Sequence, residues 1–384
     1  MNGAKAGNRR KVIVLTLTHQ CNLRCSYCYE PVKANRRMPL EMAREVIADE
    51  LDARDDYDEV EIDFHGGEPF LAFETLKAAC EWTWTRRWRR PYVFFATTNG
   101  TLVRDKIKEW LSSHRRQFWC CLSIDGTPTM HNVNRPHSFE SIDVDFFKDN
   151  WPEQPMKMTI SPQTLRSLPE GVRYLHSRGL RFTCNLACGP QWTPDDARRL
   201  GEQLRELVLY YSENPDVDPC DLLRVPIEYA RIGNVTPPKT VPRWCGCGHS
   251  MKAYDVDGHA YPCHSTIPFE SDASDLGVPL GGLNPVGSLP EDCRSCRFVQ
   301  ICRTCYAANY QASGDPCRRA RMDCWSTQLS ANATAQLSGL LFAQDKLPAR
   351  MARWPAWKIS QHISAAAALL DQASSVKATD DLAS

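Results

Sequence analysis

From Val12 to about Cys188, short β-rich runs alternate with stretches of helical period. That alternation leaves few architectures, because parallel strands need long crossovers, usually helices, and so build βαβ units around one sheet. The pattern predicts strands at Val12–Thr18, Val60–His65, Tyr92–Thr98, Trp119–Ile124, Met158–Ile160 and Arg181–Ala187. Helices are expected at Leu40–Leu51, Glu74–Trp88, Val103–His114 and Pro194–Tyr211. Six such units predict an α/β fold, a partial (β/α)6 TIM-like barrel that stays open where eight units would close.

The alternation stops near Ser212, where Pro215, Pro219, Pro226, Pro237, Pro238 and Pro242 punctuate a stretch without helical period. The expected layout is a flexible N-terminus at 1–11, the barrel at 12–214, a linker at 215–243, a small cysteine-rich C-terminal domain at 244–325 and a helical tail at 326–384 that ends in disorder. A hairpin turning at Asp257-Gly258 is expected to deliver Cys263 on its return strand.

The 46 basic and 46 acidic residues cancel, so no global field draws the chain to nucleic acid or an anionic membrane. The first ten residues are polar, and the apolar run Val12–Leu17 is too short for a secretory segment or a membrane span. A cytoplasmic location is therefore expected. Eighteen cysteines in a reducing compartment are better suited to metal or cluster ligation than to disulfides.

Cys21, Cys25 and Cys28 form CxxxCxxC just after the first strand, at the strand end where active sites of βα folds collect. Three thiolates hold three irons of a [4Fe-4S] cube and leave the fourth iron open; a zinc site ordinarily wants a fourth ligand that this loop lacks. The motif, with aromatic Tyr27 before the third cysteine, resembles the radical S-adenosylmethionine (SAM) superfamily. The resemblance implies that the open iron chelates SAM, and that one electron from the cluster yields a 5'-deoxyadenosyl radical which abstracts hydrogen from a substrate. An external one-electron reductant such as flavodoxin or ferredoxin is implied with it.

Three further strand ends carry Gly66-Gly67-Glu68-Pro69, Thr98-Asn99-Gly100 and Ser123-Ile124-Asp125-Gly126, each also readable as plain turn chemistry. The glycines allow close approach of a ligand, and Glu68 suits the ammonium of a methionine moiety. By resemblance, Tyr27, Gly66, Gly67 and Asn99 line SAM, Ser123 and Arg135 hold its ribose or carboxylate, and Leu186 packs the adenine.

The later cysteines run Cys245, Cys247, Cys263, Cys293-xx-Cys296, Cys302-xx-Cys305, Cys317 and Cys324. Spacing alone accommodates either two iron-sulfur cubes or two zinc centres. The layout resembles the SPASM extension of radical SAM enzymes that modify peptides and proteins, which carries two auxiliary [4Fe-4S] clusters. Carried over by position, the first takes Cys245, Cys247, Cys263 and Cys305, and the second takes Cys293, Cys296, Cys302 and Cys324, with Cys317 an alternative to Cys324. Cys302 and Cys305 stand one residue closer than is usual in the family, and Cys245-x-Cys247 is unusually tight. Cys80, Cys120, Cys121, Cys184 and Cys220 read as small buried hydrophobes.

The implied function is hydrogen abstraction from a residue of a peptide or protein, followed by oxidation, a crosslink or a side-chain carbonyl, with the auxiliary clusters accepting an electron. In the sulfatase-maturing branch, which makes formylglycine, an acidic base follows the cysteine occupied here by Cys263; this chain has His264 there, a candidate base of its own. Only about eleven residues precede the first strand, so a leader-peptide-binding protein is expected to be separate. The alternatives are a small-molecule radical SAM dehydrogenase and, outside enzymes, a zinc-stapled binding protein.

Overall fold

The computed structural model describes residues 9–30, 32–231, 245–267 and 289–375. The remainder of the expected N-terminus, linker, cysteine-rich domain and tail lies outside the described residues. In chain order the elements are β1 (Arg10–Thr18), α1 (Leu40–Asp52), β2 (Glu59–Gly66), α2 (Phe73–Trp84), β3 (Tyr92–Thr98), α3 (Asp105–His114), β4 (Phe118–Leu122), α4 (Pro128–Asn134), α5 (Val144–Asn150) and β5 (Met156–Ile160). There follow α6 (Leu168–Ser177), β6 (Phe182–Leu186), α7 (Pro194–Glu213), β7 (Met251–Tyr254), β8 (Ala260–Tyr261), α8 (Glu291–Ser295), α9 (Tyr306–Ser313), α10 (Arg321–Phe342) and α11 (Ala356–Ser375). All six expected strands form, within two residues of the expected ends. The helix expected to run on to Trp88 stops at Trp84, where the Trp88 indole N–H takes the Thr83 carbonyl and the Thr85 hydroxyl takes that of Trp82.

The chain divides into two compact units. The first, drawn from residues 9–124, 135–157 and 245–267, holds a six-stranded sheet in the order β4-β3-β2-β1-β7-β8. Register places Ile13, Ile62, Phe94 and Phe118 in one row, and Leu15, Phe64, Ala96 and Cys120 in the next. All of these are buried. Trp84 of α2 meets Phe94 edge-on at 5.9 Å and Trp110 of α3 meets Phe118 at 5.4 Å, so this is the helix-covered face. Each such Ile, Leu or Phe contributes about 1.5–3 kcal/mol on burial.

The alternate positions of the strands face the other way. There Val14 is registered with Asp63, Asp63 with Phe95, and Thr16 with His65. Polar side chains thus gather on the face that these helices do not cover.

β7 adds to the sheet in parallel with β1, pairing Val12 with Met251 and Val14 with Ala253, and β8 returns antiparallel to it. The turn forms as expected, with Gly258 at a φ of 82° and its N–H donating to the Asp255 carbonyl. Cys263 comes two residues after β8 rather than on it, as the N-cap of a short 3-10 turn at His264–Thr266.

The second unit, residues 125–134, 158–231 and 289–375, carries the β5–β6 pair with α6, α7, α10 and α11. Helix α7 opens on a reciprocal cap between Thr193 and Asp196. Ala331 and Ala335 of α10 pack with Ala365, Ala366 and Leu369 of α11 around Ile227. A fully buried chain of hydrogen bonds adds direction: Ser338 Oγ to His362 Nε2 at 3.0 Å, and His362 Nδ1 to Glu228 Oε2 at 2.9 Å. No helix among the described residues is long and apolar enough to cross a membrane.

Candidate functional site

β1 ends at Thr18, and the loop that follows carries the three cysteines. Each sulfur accepts a donor: Cys21 from the Leu23 N–H at 3.4 Å, Cys28 from Lys33 Nζ at 3.2 Å, and Cys25 from Arg135 Nη1 at 4.0 Å. Two of the three donors are cations, which offset charge on a set of thiolates. Burial pushes the Cys21 thiol up to about 11. A metal bound there would replace the proton.

The Gly66-Gly67 turn at the end of β2 lies against this loop. Gly67 N–H donates to Thr18 O and Glu68 N–H to Gln20 O, both at 2.9 Å. Gly66 has a φ of 139°, and a Cβ there would lie 2.2 Å from Thr18 O; a Cβ on Gly67 would lie 2.3 Å from Gln20 O and 2.9 Å from Cys21 Cβ. Only glycine fits at either position.

Glu68 is buried and caps the next turn. Its Oε1 accepts from Thr98 Oγ1 at 2.8 Å and Phe70 N–H at 3.2 Å, and its Oε2 from Asn99 N–H at 2.9 Å. Burial holds its carboxyl up at about 7 against those hydrogen bonds. Asn99 Nδ2 in turn donates to Asn22 Oδ1 at 2.9 Å, which ties the cysteine loop to the end of β3. Arg135 is nearly buried and lies 5.4 Å over the Tyr27 ring. Ser123, at the end of β4, donates its N–H to Thr98 O at 2.9 Å. The structure therefore brings Cys21, Cys25, Cys28, Tyr27, Gly66, Gly67, Glu68, Asn99 and Arg135 together at one edge of the first unit. Leu186 ends β6 in the second unit, partly exposed.

His264 stacks on His65 with ring centres 4.5 Å apart, and Tyr29 OH lies 3.1 Å from His65 Nε2. Burial lowers the His264 imidazole to about 4, helped by Lys157, and lowers His65 as well. Both rings are neutral near pH 7. The Nδ1 atoms of both, Oγ1 of Thr16 and Oδ1 of Asp63 are buried without hydrogen-bond partners. Asp63, His65, Tyr29 and Lys157 were not among the residues singled out from the sequence; the signal was there in β2, whose Glu61, Asp63 and His65 alternate with apolar residues.

In the second unit Cys293, Cys296, Cys302 and Cys324 line one apolar cavity of about 40 Å³ with Phe298, Val299, Arg319, Thr327 and Gln328. Cys317 is buried elsewhere, its N–H held by Asp315 at 2.8 Å. Of the remaining set, Cys247 and Cys263 are buried and Cys245 exposed in the first unit, and Cys305 belongs to the second. Cys305 is the N-cap of α9, its sulfur accepting the Ala308 N–H at 3.5 Å, and Cys188 after β6 is exposed. Among the described residues no three His, Cys, Asp or Glu side chains converge as a single-ion site. Cys80, Cys120, Cys121, Cys184 and Cys220 are buried, as expected of small hydrophobes.

Residues 15–204 match the family model described as the Radical SAM superfamily. An uncharacterized protein of Methanocaldococcus jannaschii is 31% identical over 127 residues, which are 33% of this chain and 42% of that protein; the chain thus spans less than half the length of that relative. The solved structure of anSMEcpe with bound AdoMet is similar at a TM-score of 0.63 and 18% identity, over 88% of this chain and 100% of that one. Streptococcus suis SuiB bound to precursor peptide SuiA is similar at a TM-score of 0.52 and 17% identity, over 83% of this chain and 76% of that one. At such identities the likeness is one of fold.

Proposed function

Residues 15–204 form a radical SAM domain, and from that premise we propose that the chain is an enzyme that cleaves SAM reductively and oxidises a residue of a peptide or protein. The observation that carries the proposal is the cysteine loop itself: three sulfurs at one strand end, each with a donor, beside a turn where only glycine fits. Cys21, Cys25 and Cys28 would hold the cluster. When bound, a [4Fe-4S] cluster with one open iron supplies an electron to SAM, and the resulting 5'-deoxyadenosyl radical takes a hydrogen atom from the substrate.

The chain's own residues position the reactants. The Gly66-Gly67 backbone packs directly against the cysteine loop and so fixes that loop beside Glu68. Glu68 Oε2 keeps a lone pair for an ammonium group, and Asn99 holds that carboxylate in place. Arg135 and Ser123 are proposed for the ribose or carboxylate of SAM, Tyr27 for its lining and Leu186 for the adenine. His264 remains the candidate base, its Nδ1 buried without a hydrogen-bond partner.

Four cysteines surrounding a cavity rather than a point support a multi-iron centre over a single zinc, whose four sulfurs would sit about 2.3 Å from one position. We assign Cys293, Cys296, Cys302 and Cys324 to one auxiliary [4Fe-4S] cluster and Cys245, Cys247, Cys263 and Cys305 to another. Such centres supply an acceptor for the second electron of an oxidation. A peptide substrate is favoured by the structural neighbours, since anSMEcpe has been seen with AdoMet and the Kp18Cys peptide and SuiB with its precursor peptide.

The test is anaerobic. The reconstituted chain should contain about twelve irons, and with dithionite should convert SAM to 5'-deoxyadenosine. Cys21→Ala with Cys25→Ala and Cys28→Ala should abolish that product, and Cys302→Ala should lower the iron by about four while the product still forms. Product surviving the triple substitution overturns the catalytic assignment; two zincs in place of eight irons overturn the auxiliary clusters alone.

A further inference from the structure

Arg319 lines the same cavity as Cys293, Cys296, Cys302 and Cys324, and two of its donor groups have nothing to bind. Its Nε and Nη1 are buried with no hydrogen-bond partner. Asp323, the acid that its charge reaches, gives Oδ2 to the Thr304 hydroxyl at 2.8 Å instead. Burying a cation with its donor bonds unmade costs free energy, so the arrangement calls for an anionic acceptor in the cavity.

The backbone holds the side chain at that place. Asn309 of α9 is fully buried and clasps the turn from both ends, its Nδ2 donating to Pro316 O at 2.9 Å and its Oδ1 accepting the Ala320 N–H at 3.3 Å. Between these, Asp315 Oδ1 accepts the Cys317 N–H at 2.8 Å. Ala320 is the N-cap of α10, which carries Cys324 in its first turn. Arg319 and one of the four sulfurs are thus fixed by one short segment.

Two sulfurs already have neutral donors: Cys302 accepts from Thr327 Oγ1 at 3.5 Å and Cys296 from the Phe298 N–H at 3.4 Å. Arg319 differs from these, because it is the one residue lining the cavity that carries a fixed charge. Burial pushes the Cys293 and Cys302 thiols up, and the Arg319 charge pulls against that at both.

We propose that Arg319 tunes the auxiliary cluster assigned above to Cys293, Cys296, Cys302 and Cys324, raising its reduction potential and so fitting it to accept an electron. The proposal rests on that assignment and goes beyond it. Reduction adds an electron to a cube already made negative by four thiolates, and a fixed positive charge beside it stabilises the reduced form more than the oxidised one. The planar, weakly hydrated guanidinium suits a buried position and brings several N–H donors to one side of an anion.

The experiment is a potentiometric titration of the iron-loaded full chain without SAM, followed by electron paramagnetic resonance. The transition missing from Cys302→Ala belongs to this cluster. In Arg319→Met, and in Arg319→Gln, which keeps an N–H donor but no charge, that transition should move to lower potential by at least about tenfold in the reduction equilibrium, about 59 mV for one electron. The other transitions should stay in place, and Arg319→Lys should lie between the parent and the neutral variants. A neutral variant that holds about twelve irons with the transition unmoved overturns the proposal and leaves the cluster assignment standing. Loss of about four irons from both neutral variants also overturns it, since Arg319 would then hold the cluster rather than tune it. Zinc in place of iron in the parent chain overturns the assignment and the proposal together.

Discussion

Asp63 lies in the middle of β2 with Oδ1 buried and unpartnered, and burial holds its carboxyl up at about 7 against a weaker pull from Lys157. At about 1.36 kcal/mol per pH unit, moving a carboxyl from 3.8 to about 7 corresponds to about 4 kcal/mol. The side chain keeps part of its surface accessible, so screening brings the expected cost to about 2 kcal/mol. The sign follows from proton counting. Well below pH 3.8 both states hold the proton and nothing is lost; between about 4 and 7 the unfolded chain releases it while the native chain retains it, so stability falls as pH rises, and the full deficit stands above 7. Asp63→Asn removes the titration. In urea unfolding of the iron-loaded chain followed by far-UV circular dichroism, the variant should nearly match the parent at pH 4 and exceed it by about 2 kcal/mol at pH 8. Parallel profiles across that range, or a variant less stable at pH 8, would refute the reasoning. Because Asp63 faces the same side of the sheet as His65, the gain should come with slower substrate oxidation, the usual relation between a strained polar site and its activity.

Two other substitutions test different parts of the structure. Gly67→Ala drives a Cβ to 2.3 Å from Gln20 O and 2.9 Å from Cys21 Cβ, so the cysteine loop must move; iron should fall by about four per chain and SAM binding by calorimetry should be lost, while Gly339→Ala, whose Cβ meets only Leu370 Cδ1 at 3.3 Å, leaves both unchanged. His362→Ala strips Glu228 of its 2.9 Å partner and leaves it Lys358 at 3.4 Å, so thermal unfolding should report a loss of about 2–3 kcal/mol with SAM cleavage retained.

What the sequence made legible is local. Tyr92–Thr98 and the other five strands are read from β-branched and aromatic runs bounded by turn residues, and CxxxCxxC is read because its ligands are neighbours in the chain. What it hid is joined across long stretches of chain. Nothing in Met-Lys-Ala-Tyr at 251–254 says that it will pair with Val12–Leu15 rather than stay with the cysteines around it; the pairing is set by Val14, Ala253 and Ile267 closing on one another. Likewise Lys33 and Arg135 become donors to Cys28 and Cys25 only once the loops are folded, and Arg135 reaches its sulfur from 110 residues away.

The polar face of β2 is the intermediate case, because its signal was present and its meaning depends on the sheet. A central strand of a parallel sheet is ordinarily covered by helices on both sides and reads as a continuous apolar run. Glu61-Ile62-Asp63-Phe64-His65 alternates instead, although β2 sits between β1 and β3 with parallel partners on both edges. Carboxyl and imidazole groups on a helix-packed face would cost several kcal/mol without partners. The alternation leaves one face for something polar, and Thr16 Oγ1, Asp63 Oδ1 and His264 Nδ1, buried without hydrogen-bond partners, with His65 Nδ1, which has only Glu30 at 3.8 Å, are groups that a polar substrate would satisfy. On the function proposed here, a strand that is parallel by pairing and alternating by sequence is where the sheet would contribute to the site.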